Sequence, residues 1–320
     1  MFKILPLMKG AHTAVDVCMN VKPEETVLVM TDTGKVKLAE AFAYASSALG
    51  ATTVVSVMRP LARSGLEPPR PVAEAMKAAD VVLIPTSTSF SHTDARREAS
   101  KNGARIASMP GITEDMMSIG GLTADYHEVE RLTNLVSDVL DKGKIVEITT
   151  PSGTNLSMSI EGRTCLRDTG LYHKPPNMWG NLPAGEACLA PVEGTTQGVL
   201  VVDSMGNVVA QPVHVTIKDG WAKKFEGADA AKLESLLRRG DENAFNVGEL
   251  GVGTNAKARL TGAVLEDEKV LGTVHIALGD NSSYPGGHSK SNIHMDGILL
   301  EPTVKVDGVL LLEKGKLKLG

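Results

Sequence analysis

From Glu25 onward, short runs of β-branched residues alternate with longer stretches in which apolar positions recur every three or four residues. ETVLVMTDTG reads as a strand running into a turn, VKLAEAFAYASSALG as a helix closed by Gly50, and ATTVVSVM as the next strand. PVAEAMKAA followed by ADVVLIPTSTSFSHT repeats the unit, and ARREASKNG followed by ARIASMPG repeats it again. This alternation predicts an α/β fold that begins with a parallel sheet covered by helices. The helix YHEVERLTNLVSDVLDKG closes that half at Gly143.

Beyond it the period changes from the helical repeat to alternation of apolar and polar residues. KIVEITTPSGTNLSMSIEG predicts a hairpin turning at Pro151, Ser152 and Gly153, and GVLVVDSMGNVV, PVHVTIKDGWAKKFEG and VKVDGVLLLEKGKLKL continue the strand pattern. DAAKLESLLRRG and GAVLEDEKVLG are the main helical interruptions. The expected organisation is an α/β domain over 1–143 and a β-rich α+β domain over 144–320.

Composition narrows the function classes. A chain of 320 residues with a net charge of −5 offers no basic surface for nucleic acid or an anionic membrane, and aromatic residues at 3% are too few for stacking on single strands. Cys18, Cys165 and Cys188 are odd in number and far apart, which suggests neither a disulfide framework nor a zinc ribbon. The apolar start MFKILPLM is broken by Pro6 and no apolar run approaches ~18 residues, so the expected setting is the cytoplasm.

No glycine-rich nucleotide motif follows a strand. PTSTSFSHT, beyond the run VVLI, is a polar loop at a strand's carboxyl end or simply a hydroxyl-rich helix cap. Chemistry concentrates instead in the second half. Glu186 in NLPAGEACLAP, Glu249 in FNVGELGVGTN, Glu268 and His275 in LEDEKVLGTVHIALGD, and His294 with Asp296 in SNIHMDG stand mostly among glycines and small apolar residues. Burying a carboxylate costs several kcal/mol unless it is paired or binds a cation. A pair of divalent ions would neutralise all four carboxylates together.

NLPAGEACLAP, the GEL segment, the acidic helix running into HIALG, and IHMDG together resemble the thermophilic-type metallo-aminopeptidase family, the aminopeptidase T-like enzymes. The resemblance covers most of the chain, with its specific motifs in the C-terminal half. It implies two divalent ions (zinc, cobalt or manganese) held by Glu186, Glu249, Glu268, His275, His294 and Asp296. It also implies a bridging role for Glu249, a proton shuttle at Glu186 or Glu268, and a homodimer acting on a peptide or other small molecule. The spacing from Glu268 to His275 is two residues longer than the family pattern, and the loop before His294 is shorter. Tyr284, the one candidate for the family's assisting tyrosine, is displaced by about two positions.

The ring-cleaving 2,5-dihydroxypyridine dioxygenases share this scaffold and supply the alternative, one Fe(II) held by two histidines and a carboxylate. They resemble this chain at the His-x-Asp pair but differ at Glu186 and Glu249. His288 and His173 read most simply as loop and connector residues, Trp179 as packing, and GVLLLE as a core strand or an assembly face.

Overall fold

The structure is a computed structural model and describes residues 3–175 and 178–318. Its backbone forms two compact units, one of Met1–Glu130, Thr169–Ala184 and Ala256–Arg259, the other of Arg131–Asp168, Gly185–Asn255 and Leu260–Gly320. This differs from a single cut after Gly143, for two reasons. Val136 and Leu140, near the end of the helix predicted to close the first half, are buried in the core of the second unit. Conversely, Trp179–Asn181 pairs with a strand of the first unit.

In the first unit, β1 (Thr26–Asp32), β2 (Thr52–Met58), β3 (Val81–Thr86) and β4 (Arg105–Pro110) form a parallel sheet in the order β2-β1-β3-β4, extended by the late strand β8 (Trp179–Asn181). The helices are α1 (Met8–His12), α2 (Val36–Ala48), α3 (Arg70–Ala78), α4 (Asp94–Lys101), α5 (Glu114–Ser118) and the start of α6 (Tyr126–Leu140). β1 and β3 are almost wholly buried, as expected for central parallel strands covered on both faces. The PTSTSFSHT loop performs the capping role: Thr93 Oγ1 accepts the Arg96 backbone N–H at the start of α4. Arg96 lies 3.8 Å over the Trp179 ring, which gives that tryptophan its packing role.

The second unit carries two antiparallel sheets. β5 (Ile145–Thr149), β6 (Asn155–Ser159), β10 (Gln197–Val202), β11 (Val213–Lys218), β12 (Trp221–Glu226), β16 (Thr303–Val306), β17 (Val309–Glu313) and β18 (Lys316–Leu317) form eight strands in the order β12-β11-β10-β6-β5-β16-β17-β18. The other sheet runs β15-β14-β13-β9-β7, from β7 (Leu166–Asp168), β9 (Glu186–Leu189), β13 (Val247–Gly253), β14 (Val274–Gly279) and β15 (His294–Leu299). Both sheets contribute to one apolar core with α7 (Ala230–Leu237). Leu311 and Leu312 of GVLLLE belong to that core, whereas exposed apolar side chains Val54, Val55 and Val57 occur on the edge strand β2.

GAVLEDEKVLG forms only one short helix, α8 (Val264–Asp267). Asp267 turns back to accept the Thr261 and Gly262 backbone N–H groups, and Lys269 O accepts the Asn255 N–H. These bonds commit the following residues to a turn leading into β14. Among the described residues no helix is long and apolar enough to cross a membrane.

Candidate metal centre

Strand parity assembles the site. β13 pairs Glu249 with Ala277 and Gly251 with His275, β15 pairs Asp296 with Ala277 and His294 with Gly279, and β9 pairs Glu186 with Gly253. Directly paired residues share a face, so Glu186, Glu249, His275, His294 and Asp296 all stand on one side of the sheet. A register shift between Val247 and Glu249 sets Val247 opposite Leu278 on the core side, while from Glu249 onward the strand keeps its regular alternation. The opposite side presents Leu189, Leu250, Val252, Ile276, Leu278 and Leu299 to the core. The middle of the polar face is floored by small residues for a steric reason: a Cβ on Gly251 would stand 2.0 Å from His275 Nε2.

Two overlapping groups of three result, Glu186–Glu249–His275 and Glu249–His294–Asp296, with the donor atoms of each within 4.8 Å of one another. His275 Nε2 lies 3.2 Å from Glu186 Oε2 and 3.3 Å from Glu249 Oε1. His294 Nε2 lies 2.9 Å from Glu249 Oε2 and 3.3 Å from Asp296 Oδ1. The two oxygens of Glu249 therefore serve different imidazoles. His294 Nδ1 is 2.8 Å from the Asp280 carbonyl, to which it donates, and this turns Nε2 to the carboxylates. Burial opposes charge on the ring, but Asp296 and Glu249 hold its pKa well above the usual value, so Nε2 offers its lone pair only once an ion displaces that proton. Glu186 Oε2 is buried without a hydrogen bond although it faces His275, an arrangement suited to donors converging on an ion.

Tyr284 reaches this centre. Its hydroxyl donates to Glu249 Oε2 at 2.5 Å, and its ring stacks on His294 with centroids 6.2 Å apart. The loop that carries it is pinned: Ser291 N–H donates to Asp280, Ser289 N–H to the Asn281 side chain, and His288 N–H and Asn281 Nδ2 to Glu193. Arg163 anchors Glu193 from the other side at 2.5 Å. Burial and then the Glu249 charge push the Tyr284 phenol well above its ordinary pKa, so it remains a donor. His288 itself is exposed, and His173 bonds the Cys18 carbonyl in the first unit; neither belongs to the cluster.

Glu268 stands apart from both groups. Its carboxylate lies 2.8 Å from Lys269 Nζ, and burial, with help from Glu186 and Asp296, raises its pKa to about 8 against the effect of Lys269. Lys269 is the residue that sequence reasoning missed. Its side chain is only 2% exposed, and its Nζ also meets Glu186 Oε1 at 2.5 Å and Asp168 Oδ2 at 3.4 Å. Burial opposes its charge, but the Glu186, Glu268 and Asp168 carboxylates outweigh that and hold its pKa well above normal. Cys188 shares the polar face, and its thiol is kept neutral by burial and the adjacent Glu186 and Glu249 charges.

Burial also opposes charge on His275, yet Glu186 and Glu249 hold its pKa well above the usual imidazole value. In the metal-free protein this proton stabilises the fold fully below the unfolded pKa, and the contribution is lost as pH rises through the folded value. A divalent ion requires the neutral ring, so metal binding should expel the proton and affinity should climb with pH. Calorimetric titration in buffers of different ionisation enthalpy should record proton release; a buffer-independent heat would contradict it.

Comparison with known proteins places the chain in an enzyme family. The fold is shared with the structure of 2,5-dihydroxypyridine dioxygenase from Pseudomonas putida KT2440, with a TM-score of 0.81 and 16% identity over 97% of this chain and 96% of that one. Wild-type AmpT from Thermus thermophilus also shares it, with a TM-score of 0.71 and 19% identity over 98% and 99%. No curated protein matches the sequence. The family model described as NicX, 2,5-dihydroxypyridine 5,6-dioxygenase, matches residues 7–319, and the chain belongs to that family.

Proposed function

We propose that the chain is a two-metal hydrolase of the metallo-aminopeptidase type that removes the first residue from peptides. The observation that supports this reading is the division of Glu249 between two ligand groups, one oxygen toward His275 and the other toward His294. Glu186 Oε2, Glu249 Oε1 and His275 Nε2 would hold one ion; Glu249 Oε2, His294 Nε2 and Asp296 Oδ1 would hold the other. The mixed carboxylate and imidazole set suits zinc, cobalt or manganese. Two such ions, when bound, lower the pKa of a water between them and polarise a carbonyl.

The protein's own part is orientation and proton control. Asp280 orients the His294 ring through its carbonyl, and Tyr284 restrains Glu249 through its hydroxyl, reaching it from the pinned loop. The phenol keeps its proton, and its one O–H is the bond that holds Glu249 Oε2. Glu249 stays ionised because His275 and His294 outweigh the burial that opposes its charge.

Family membership favours a second reading, a mononuclear Fe(II) ring-cleaving dioxygenase. Its usual ligand set is two histidines and one carboxylate. Here, among the described residues, the two imidazoles fall in separate groups, each with its own carboxylates. Metal analysis after reconstitution, paired with assays of leucyl amide hydrolysis and of oxygen uptake on 2,5-dihydroxypyridine, separates the readings. Two ions per chain with hydrolysis are expected; one ion, a preference for Fe(II), and oxygen uptake would transfer the assignment to the dioxygenase. His294→Ala and Asp296→Asn should each abolish hydrolysis and weaken metal binding at least ~10-fold, with unchanged circular dichroism. Activity within a few-fold of the parent in both would make the pair structural.

A further inference from the structure

The buried ammonium of Lys269 has no part in the two ligand groups, yet it touches one of them. It takes Glu186 Oε1 at 2.5 Å and Glu268 Oε1 at 2.8 Å, with Asp168 Oδ2 at 3.4 Å as a third partner. Its backbone is fixed as tightly: its N–H donates to the Glu266 carbonyl and its carbonyl accepts the Asn255 N–H. Gly253 completes the fit, because a Cβ there would stand 2.1 Å from the Val270 carbonyl and 2.9 Å from the Lys269 carbonyl carbon.

We propose that Lys269 is a positioning residue of the metal centre. It holds Oε1 of Glu186 so that Oε2 faces His275 and Glu249, and it engages Glu268 as a separate partner, outside the ligand set. Several observations converge on this division. Glu186 Oε2, the oxygen not taken by Lys269, is the one left without a hydrogen bond and 3.2 Å from His275 Nε2. Glu268, by contrast, joins neither ligand group.

The outer partner of a ligand typically governs metal affinity by ~10–100-fold.

The proposal rests on the metal-centre reading but not on the reaction catalysed, so its test is metal binding. Zinc is titrated into chelator-treated protein by calorimetry and competition with a chromophoric chelator, for the parent, Lys269→Met, Glu268→Gln and Asp168→Asn. Lys269→Met should weaken the ion served by Glu186 by at least ~10-fold. It should leave the ion of Glu249, His294 and Asp296 within about threefold of the parent. Glu268→Gln and Asp168→Asn should keep the parent's stoichiometry and affinities. Should Lys269→Met fold only with metal, it is prepared loaded and the ions are withdrawn with chelator, the Glu186 ion leaving first.

Loss of an ion in Glu268→Gln would make Glu268 a ligand and overturn the assignment. Parent-like affinities in Lys269→Met, with a lowered melting temperature alone, would reduce Lys269 to a structural ion pair and overturn it equally. If the parent binds one ion only, the two-metal reading fails separately. The positioning role is then read from that ion: weakening by Lys269→Met but not by Glu268→Gln sustains it, and any other pattern rejects it.

Discussion

If the protein is the proposed two-metal hydrolase, Glu249→Gln is expected to remove one ion and reduce hydrolysis by on the order of a thousandfold, about 4 kcal/mol of barrier. Glu249 is the one side chain common to both ligand groups, and its two oxygens face different imidazoles. A neutral amide replaces one oxygen by an NH₂ that cannot ligate, and it withdraws the charge that offsets two cations. It also alters the partner of Tyr284, whose hydroxyl donates to Glu249 Oε2. Metal content by elemental analysis and the rate on leucyl amide with metal in excess are the measurements. A rate and stoichiometry equal to the parent's would exclude Glu249 as a shared ligand. Glu249→His, in contrast, would favour a two-histidine iron site, so the two substitutions move the protein in opposite directions.

The second large effect is on stability. Lys269→Met in the metal-free protein is expected to lose about 3–5 kcal/mol, because it leaves buried carboxylates without their cation rather than replacing the whole ion cluster by apolar groups. Lys269 is 2% exposed at its side chain, while Glu186, Glu268 and Asp168 are 11%, 12% and 15% exposed, so solvent screens them little. Urea unfolding of the chelator-treated variant and parent measures the difference. If Lys269 positions Glu186, the gap widens when zinc is added, since the parent gains more from the ion than the variant does. A loss below about 1 kcal/mol, the range of surface pairs, would contradict the buried-cluster account.

Much of the scaffold was legible because its periodicity is local. The βα alternation of the first unit follows from runs such as TVLVMTD and VVLIPT set between amphipathic helices, and each element buries the face that its own residues define. The hairpin around Pro151–Gly153 was equally readable, since its turn residues and flanking alternation lie side by side in the chain. The GEL, HIALG and HMDG segments announced themselves by polar groups in apolar settings. In the GEL and HIALG strands, which are buried on both sides, that one face is core and the other a polar centre was hidden.

The helix expected over GAVLEDEKVLG shows the opposite limit. Its composition favours a helix, but Asp267 is drawn to the Thr261 and Gly262 backbone N–H groups and Lys269 to distant carboxylates, so only four residues remain helical. Those partners are set by how the sheet closes and override local propensity.

The sequence by itself determined the fold class, the strands that carry the metal-competent side chains, and the identity of His294 and Asp296 as neighbours on one strand face, because two-residue spacing in an extended chain fixes that geometry. Only the tertiary structure decided that Glu249 is shared, that Glu268 faces Lys269 instead of a ligand group, and that the compact units interleave along the chain. Those outcomes depend on the register between β7, β9, β13, β14 and β15, which places residues dozens of positions apart within 3 to 4 Å. Strand register is a property of pairing between segments, and no single segment carries it.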